Sequence, residues 1–284
     1  MQRVYFEEFC RRVTEDAPYA VFHRENVNYV AHIHEEIEVG FVVSGSVRAS
    51  GESCDYLLNE GDIYVFLPDE IHALTSESPN LLYILRLLPK QSDRVDFSSF
   101  RSSSNCVRAG DAAHEPLRRA VLEMVDEHDR AREGRDMVLR KCRYEIFLAI
   151  YRLMDRIPLS EEDRQRRAGR TSLLRRVNDY IADHYAEPVS LDDLADHCGI
   201  SKYYLAHSIK DATGSTVLDF LMLYRLSIAR SRLRNGEGTV TEIAFDCGFN
   251  NLRSFNRMFR KYYYVTPTEY RKNPAASLPP SGEK

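Results

Sequence analysis

The feature that most constrains this chain is a two-helix pattern written twice in its last third, about fifty residues apart, at 191–210 and again at 240–260. Ala195 answers to Ala244, Cys198 to Cys247, Gly199 to Gly248 and Ile200 to Phe249. After a turn one residue longer in the second copy, Leu205 answers to Phe255, Ile209 to Phe259 and Lys210 to Arg260. Each copy needs a tight turn between two helices. Gly199 and Gly248 supply it, because glycine enters left-handed backbone conformations without a Cβ penalty. Ser190 with Asp193, and Thr239 with Glu242, have the spacing of capping boxes. Ser201 caps the next helix of the first copy, and Asn250 or Asn251 that of the second. Leu194, Ala195, Leu205 and Ile209 form one inward face; Ile243, Ala244, Phe255 and Phe259 form the other.

A repeated helix-turn-helix unit is a way to lay two reading helices along one face of DNA. The residues left facing outward near the start of each second helix are the candidate DNA-binding residues. They are Lys202, Tyr203, Ala206 and His207 in the first copy, and Asn251, Leu252, Arg253, Asn256 and Arg257 in the second. Arg, Asn and His can bond base edges or phosphates, and Leu or Ala can meet a thymine methyl. Between the copies, residues 217–234 have helical spacing. Eighteen residues at ~1.5 Å each span roughly 27 Å, comparable with the ~34 Å between successive major-groove faces.

Charge agrees with this placement. The chain carries a net charge of -4, which excludes a general polyanion binder. Residues 171–284 hold 15 Lys+Arg against 13 Asp+Glu, and the remainder 24 against 30. No acid falls between Asp246 and Glu269, while Arg253, Arg257, Arg260 and Lys261 do. The six cysteines are scattered without CxxC spacing, which argues against a zinc finger and fits a reduced compartment. With no apolar run of membrane-spanning length and no signal-peptide pattern, the expectation is a soluble, cytoplasmic protein.

Residues 171–273 resemble the DNA-binding domain of the AraC/XylS family of bacterial transcription regulators. The matching positions include Ile181, Leu191, Leu194, Ala195, Gly199, Ser201, Leu205, Arg225-Leu226, Ile243-Ala244, Gly248-Phe249, Phe255, Arg257, Phe259-Arg260, Thr266-Pro267 and Tyr270-Arg271. The resemblance implies that Tyr203, Ala206 and His207, with Leu252, Arg253 and Asn256, sit where base contacts are made. Val217 stands where the first copy of the family more often has proline.

The first 90 residues read differently. Short apolar runs at 39–43, 55–58, 63–67, 71–74 and 81–88 alternate with Ser44-Gly45-Ser46, a turn at 59–62 and Pro68, which suggests a small barrel or sandwich. Two amphipathic helices follow, at 115–131 and 136–157, ended by Pro158. They cover the barrel and can also form a dimer seam. Within the barrel, His32-Ile-His34, Glu38 and Gly45 are joined by Gly61, Pro68 and His72 in a pattern that looks like the two motifs of the cupin family. His32 and His34, two apart, would share a strand face. Three imidazoles and a carboxylate suit a first-row divalent metal; the same residues can instead hydrogen-bond an effector, with no metal required. Asp62 and Glu70 read as turn residues. Phe41, Tyr64 and Phe66 are candidates to shape a pocket.

The expected fold is therefore α+β in two domains: a cupin-like β-barrel with flanking helices at 1–157, a compositional linker at 158–170, an all-α domain with two helix-turn-helix units at 171–273, and a disordered tail at 274–284. The expected function is a sequence-specific regulator, by resemblance an activator, and not an enzyme. It would bind promoter DNA, sense a sugar or related metabolite at His32, His34, Glu38 and His72, form a homodimer, and engage RNA polymerase as the family does. Its rivals are a metal-dependent cupin enzyme with a DNA-binding tail, and an effector-blind protein whose barrel is only a scaffold.

Overall fold

The computed structural model describes residues 13–14, 17–25, 27, 29–51, 54–76, 78–213, 216–263 and 265–273; the tail expected to be disordered lies outside them. Two compact units divide the described residues between 168 and 169.

The first unit is built from strands β1 (Tyr19–Glu25), β2 (Tyr29–His32), β3 (Ile37–Gly51), β4 (Cys54–Asn59), β5 (Ile63–Phe66), β6 (His72–Thr75), β7 (Asn80–Leu87), β8 (Phe100–Ser102) and β9 (Cys106–Val107). Helices α1 (His114–Arg130) and α2 (Arg135–Leu153) follow, and then strand β10 (Arg156–Pro158), which pairs with β8. Strand β3 is the spine. Its first half lies between β5 and β7, and its second half pairs with β4 and β6. The Ser44-Gly45-Ser46 segment, expected to end a strand, instead bends it: the register shifts between Val42 and Ser44, and Gly45 sits at φ 76. A Cβ on Gly45 would lie 2.1 Å from the Pro79 carbonyl oxygen, so only glycine fits this crossing.

The strands are buried on both faces. Val39, Phe41, Ile63, Val65 and Leu85 turn toward Leu117, Val121 and Met124 of α1 and Leu139, Ile146 and Ile150 of α2. Val42, Val47, Leu58, Tyr64, Phe66, Leu74 and Leu82 form a second cluster on the opposite side. Burial of one large apolar side chain contributes ~1.5–3 kcal/mol, so α1 and α2 are held by the sheet, not by helix propensity. Phe41 thus faces the helices and does not shape a site with Tyr64 and Phe66. Helix α2 stops at Leu153, short of the expected Ile157, because residues 156–158 are taken up by pairing with β8.

Helix α3 (Glu161–His184) begins inside the stretch read as a linker. Ser160 accepts the Asp163 N–H at its start, and Arg164 and Arg166 form exposed pairs with Glu161 and Glu162 one turn back, where a linker without apolar periodicity was expected.

The second unit continues with α4 (Leu191–Cys198), α5 (Lys202–Thr213), α6 (Val217–Arg234), α7 (Val240–Asp246), α8 (Leu252–Tyr263) and α9 (Pro267–Lys272). The capping boxes at Ser190/Asp193 and Thr239/Glu242 form as expected, with further boxes at Thr216/Asp219 and Thr266/Glu269. Gly199 and Gly248 take positive φ, 62 and 81. Gly248 is also closely packed: a Cβ there would lie 2.6 Å from the Tyr185 carbonyl oxygen. Arg225 of α6 donates to that same carbonyl at 2.7 Å and to the Glu187 carbonyl at 2.7 Å. Phe249, Phe255 and Phe259 close the core around Leu226, Ala229 and Ile243.

Candidate functional site

In the β-rich unit the four residues singled out from sequence come together. His32 ends β2 and pairs with His72 of β6, while Glu38 lies in the first half of β3. Contrary to expectation, His34 does not share a strand with His32; β2 ends at His32, and His34 enters from the loop beyond it. One ligand atom from each of the four lies within 4.8 Å of the others. Glu38 and His72 are buried, and the ring centroids of His32 and His72 are 4.2 Å apart.

The backbone fixes the tautomers. His34 Nδ1 donates to the Glu36 carbonyl at 3.0 Å, and His72 Nδ1 to the Glu70 carbonyl at 2.8 Å. A carbonyl only accepts, so both Nδ1 atoms carry hydrogen. In a neutral ring the Nε2 atom then presents a lone pair. His34 Nε2 lies 3.1 Å from Glu38 Oε2, and His72 Nε2, buried without a hydrogen-bond partner, lies 3.8 Å from the same oxygen. Burial pushes the His34 pKa down, against the imidazolium form. Burial pushes Glu38 up, but the adjacent His34 and His72 rings outweigh it and hold the carboxyl well below its usual range. Electron pairs from two rings and a carboxylate therefore converge on one small volume, an arrangement that a proton or a metal cation relieves.

Tyr64 and Phe66, named only as candidates to shape a pocket, brace the cluster directly. Tyr64 donates its hydroxyl to Glu38 Oε1 at 2.8 Å, and burial with the Glu38 charge raises its pKa well above the usual phenol value. Phe66 stacks on His72 at 4.2 Å. Glu36 and Arg86 form a buried pair at 2.7 Å beside His34, unforeseen because neither belongs to a motif. Asp62 accepts the Asn59 N–H, as a turn residue should. Glu70 accepts from the Leu67 N–H and from Asn105 as well.

In the helical unit, Leu205 and Ile209 of α5 and Phe255 and Phe259 of α8 point into the core, which turns the opposite faces outward. Lys202, Tyr203 and His207 are exposed, Tyr203 at 81%, and Ala206 is half-buried. On α8 Arg253, Asn256 and Arg257 are exposed and Leu252 is half-buried. Asn251, not Asn250, caps α8, accepting the Ser254 N–H at 2.7 Å. The two faces differ electrically. Lys202 pairs with Asp192 at 3.0 Å and His207 with Asp211 at 3.1 Å, whereas α8 contains no acidic residue.

A profile for the AraC-like ligand-binding domain matches residues 19–175, more than half of the chain. The chain belongs to that family. A helix-turn-helix profile matches residues 194–273. The HTH-type transcriptional activator RhaS of Escherichia coli O1:K1 / APEC is 29% identical over 187 residues, covering 66% of this chain and 62% of RhaS. RhaS of Escherichia fergusonii is 30% identical over 158 residues, covering 56% and 55%. The match thus spans less than two thirds of these relatives' length. Among solved structures, unsaturated fatty acid bound ToxT from Vibrio cholerae strain SCE256 shares the fold, with a TM-score of 0.56 over 94% of this chain and 98% of ToxT at 13% identity. No helix of the described residues is long and apolar enough to cross a membrane.

Proposed function

We propose that this chain is a transcription regulator that binds promoter DNA through α5 and α8 and senses a small molecule in its β-rich unit. The observation that carries the reading is the pairing of two similarly capped helix-turn-helix units whose second helices bury their apolar faces and leave Arg253, Asn256, Arg257 and Tyr203 outward. Similarity to the RhaS activators supports activation; engagement of RNA polymerase in the cytoplasm is part of this proposal. The effector in this proposal is a sugar or related metabolite. A homodimer is supported by an apolar stripe on α2: Met137, Tyr144, Leu148 and Tyr151 are all exposed.

The effector site is the cluster of His32, His34, Glu38 and His72. The convergent lone pairs there suit a first-row divalent cation held by these four residues. Such an ion would supply a Lewis-acidic centre for an oxygen-bearing effector. The same donor set favours a second reading, a metal-dependent enzyme. Stoichiometric iron, manganese or nickel in purified protein, with turnover lost in His72→Ala, would establish that rival.

The deciding experiment is nuclease footprinting on promoter fragments with the full chain. Protection should fall on two consecutive groove segments and weaken as salt rises. Protection of a single segment, or no binding to any fragment, would remove the reading.

A further inference from the structure

Residues 161–168 are helical, yet none of them buries an apolar side chain. Their ion pairs, Arg164–Glu161, Arg166–Glu162 and Arg166–Asp163, join exposed side chains. Such pairs contribute little, and the buried apolar residues of α3, Leu173, Leu174, Val177 and Ile181, all lie beyond this segment. One side chain supplies an anchor: Arg167 is 8% exposed. Its Nε donates to the Asp69 carbonyl at 3.0 Å, and its Nη2 lies 3.4 Å from Glu70 Oε1.

The turn at 68–70 that receives Arg167 also holds the histidine cluster. The Asp69 N–H donates to the His34 carbonyl at 2.9 Å, and the Glu70 carbonyl accepts from His72 Nδ1 at 2.8 Å. Asp69 sits at φ 63, a left-handed conformation that costs a non-glycine residue energy and persists where surroundings enforce it. The enforcing contacts include two cluster histidines and the Arg167 guanidinium, beside the Leu67 N–H and the Asn105 amide that the Glu70 carboxylate accepts.

We propose that residues 161–168 form a conditional helix, held by Arg167 only while the cluster histidines keep the 68–70 turn in its strained shape. The proposal rests on the reading of the cluster as a ligand site. A ligand that fixes His34 and His72 fixes the turn, and the turn fixes Arg167. When the cluster loosens, the segment reverts to the flexible connector that its composition describes. Occupancy of the site is thereby converted into order in the chain that follows it.

Hydrogen exchange on the full chain, read by mass spectrometry over 161–168, tests this. Arg167→Met keeps the apolar stem and removes the guanidinium; exchange there should rise by about tenfold or more while β3 and β7 stay protected. At His72 the contrast is between two amides. Asn places a donor where Nδ1 stands and should keep the segment protected; Gln lacks that donor and should release it. Thermal melts of each variant establish that it is folded. Wild-type exchange in Arg167→Met, or equal exchange in His72→Asn and His72→Gln, would overturn the proposal. Zinc(II) is the ligand probe, its binding measured by elemental analysis. Bound zinc that leaves 161–168 unchanged would also overturn the proposal. Failure of zinc to bind would count against the metal reading alone, and the variants would still decide the coupling.

Discussion

Gly40 shows how the absence of one carbon builds a site. It lies opposite Tyr64 across the β3–β5 ladder, and a Cβ on it would come within 1.9 Å of the Tyr64 ring. The ring crosses β3 through that space and delivers its hydroxyl to Glu38. Gly40→Ala should therefore expel the ring and destabilise the β-rich unit. Tyr64→Phe, which removes only the donor, should cost on the order of 1–3 kcal/mol by leaving a buried carboxylate oxygen unpaired; urea unfolding measures both, and a neutral Tyr64→Phe would refute the assigned bond. Motif spacing gave His32, His34, Glu38 and His72 directly, because ligand-type residues stand out in any sequence. Tyr64 and Gly40 did not stand out as partners, because β5 is buried on both faces and alternation there assigns no side. Cys247 offers a pH test. Burial pushes its thiol up to about 12, above the usual 9.0. The unfolded chain gives up that proton first, so the contribution to stability is whole below pH 9 and is lost as pH rises toward 12. Cys247→Ser should flatten that part of a stability-against-pH curve; an unchanged slope would refute the assignment.

At the scale of elements, α5 and α8 are two copies of one pattern with unequal electrostatics. The α5 face pairs its own basic residues with acids, Lys202 with Asp192 and His207 with Asp211. The α8 face keeps Arg253 and Arg257 exposed on a helix without acids. The second unit should consequently supply most of the phosphate attraction. Arg253→Ala and Arg257→Ala should each weaken DNA binding and, where the contact is to phosphate, reduce the salt slope by about 1. Lys202→Ala should change the slope less; anisotropy titrations at several salt concentrations would show an equal loss if the two units share the load. The helical elements were legible because their signals are local: Ser190 and Asp193, Thr239 and Glu242, and the two turn glycines all act within a few residues. The strands were less legible. β1 reads Tyr-Ala-Val-Phe-His-Arg-Glu and has no clean alternation, and it exists through pairing with β7, about sixty positions along. The helix at 161–168 escaped for a related reason, since its anchor, Asp69 and Glu70, is distant in sequence.

For the whole molecule, one exposed apolar surface is the outer stripe of α2. Its inner residues Leu139, Cys142, Ile146 and Ile150 are fully committed to the core. Met137 is 78% exposed and Leu148 48%, and with Tyr144 and Tyr151 they recur at spacings of seven, four and three, which is one helical face. Exposed apolar rows of this kind mark association surfaces, and a second copy of the same chain presents the matching row in a two-fold arrangement. Met137→Glu with Leu148→Glu places charges along the seam without touching the core, so the fold should survive while sedimentation shifts from dimer to monomer. On DNA the variant should still protect the two grooves that one chain reads, but at higher protein concentration, because the second chain no longer raises the local concentration of the first. Sedimentation of the wild-type chain as a monomer, or an unchanged dimer in the variant, would move the seam off α2 and leave the stripe unexplained by self-association.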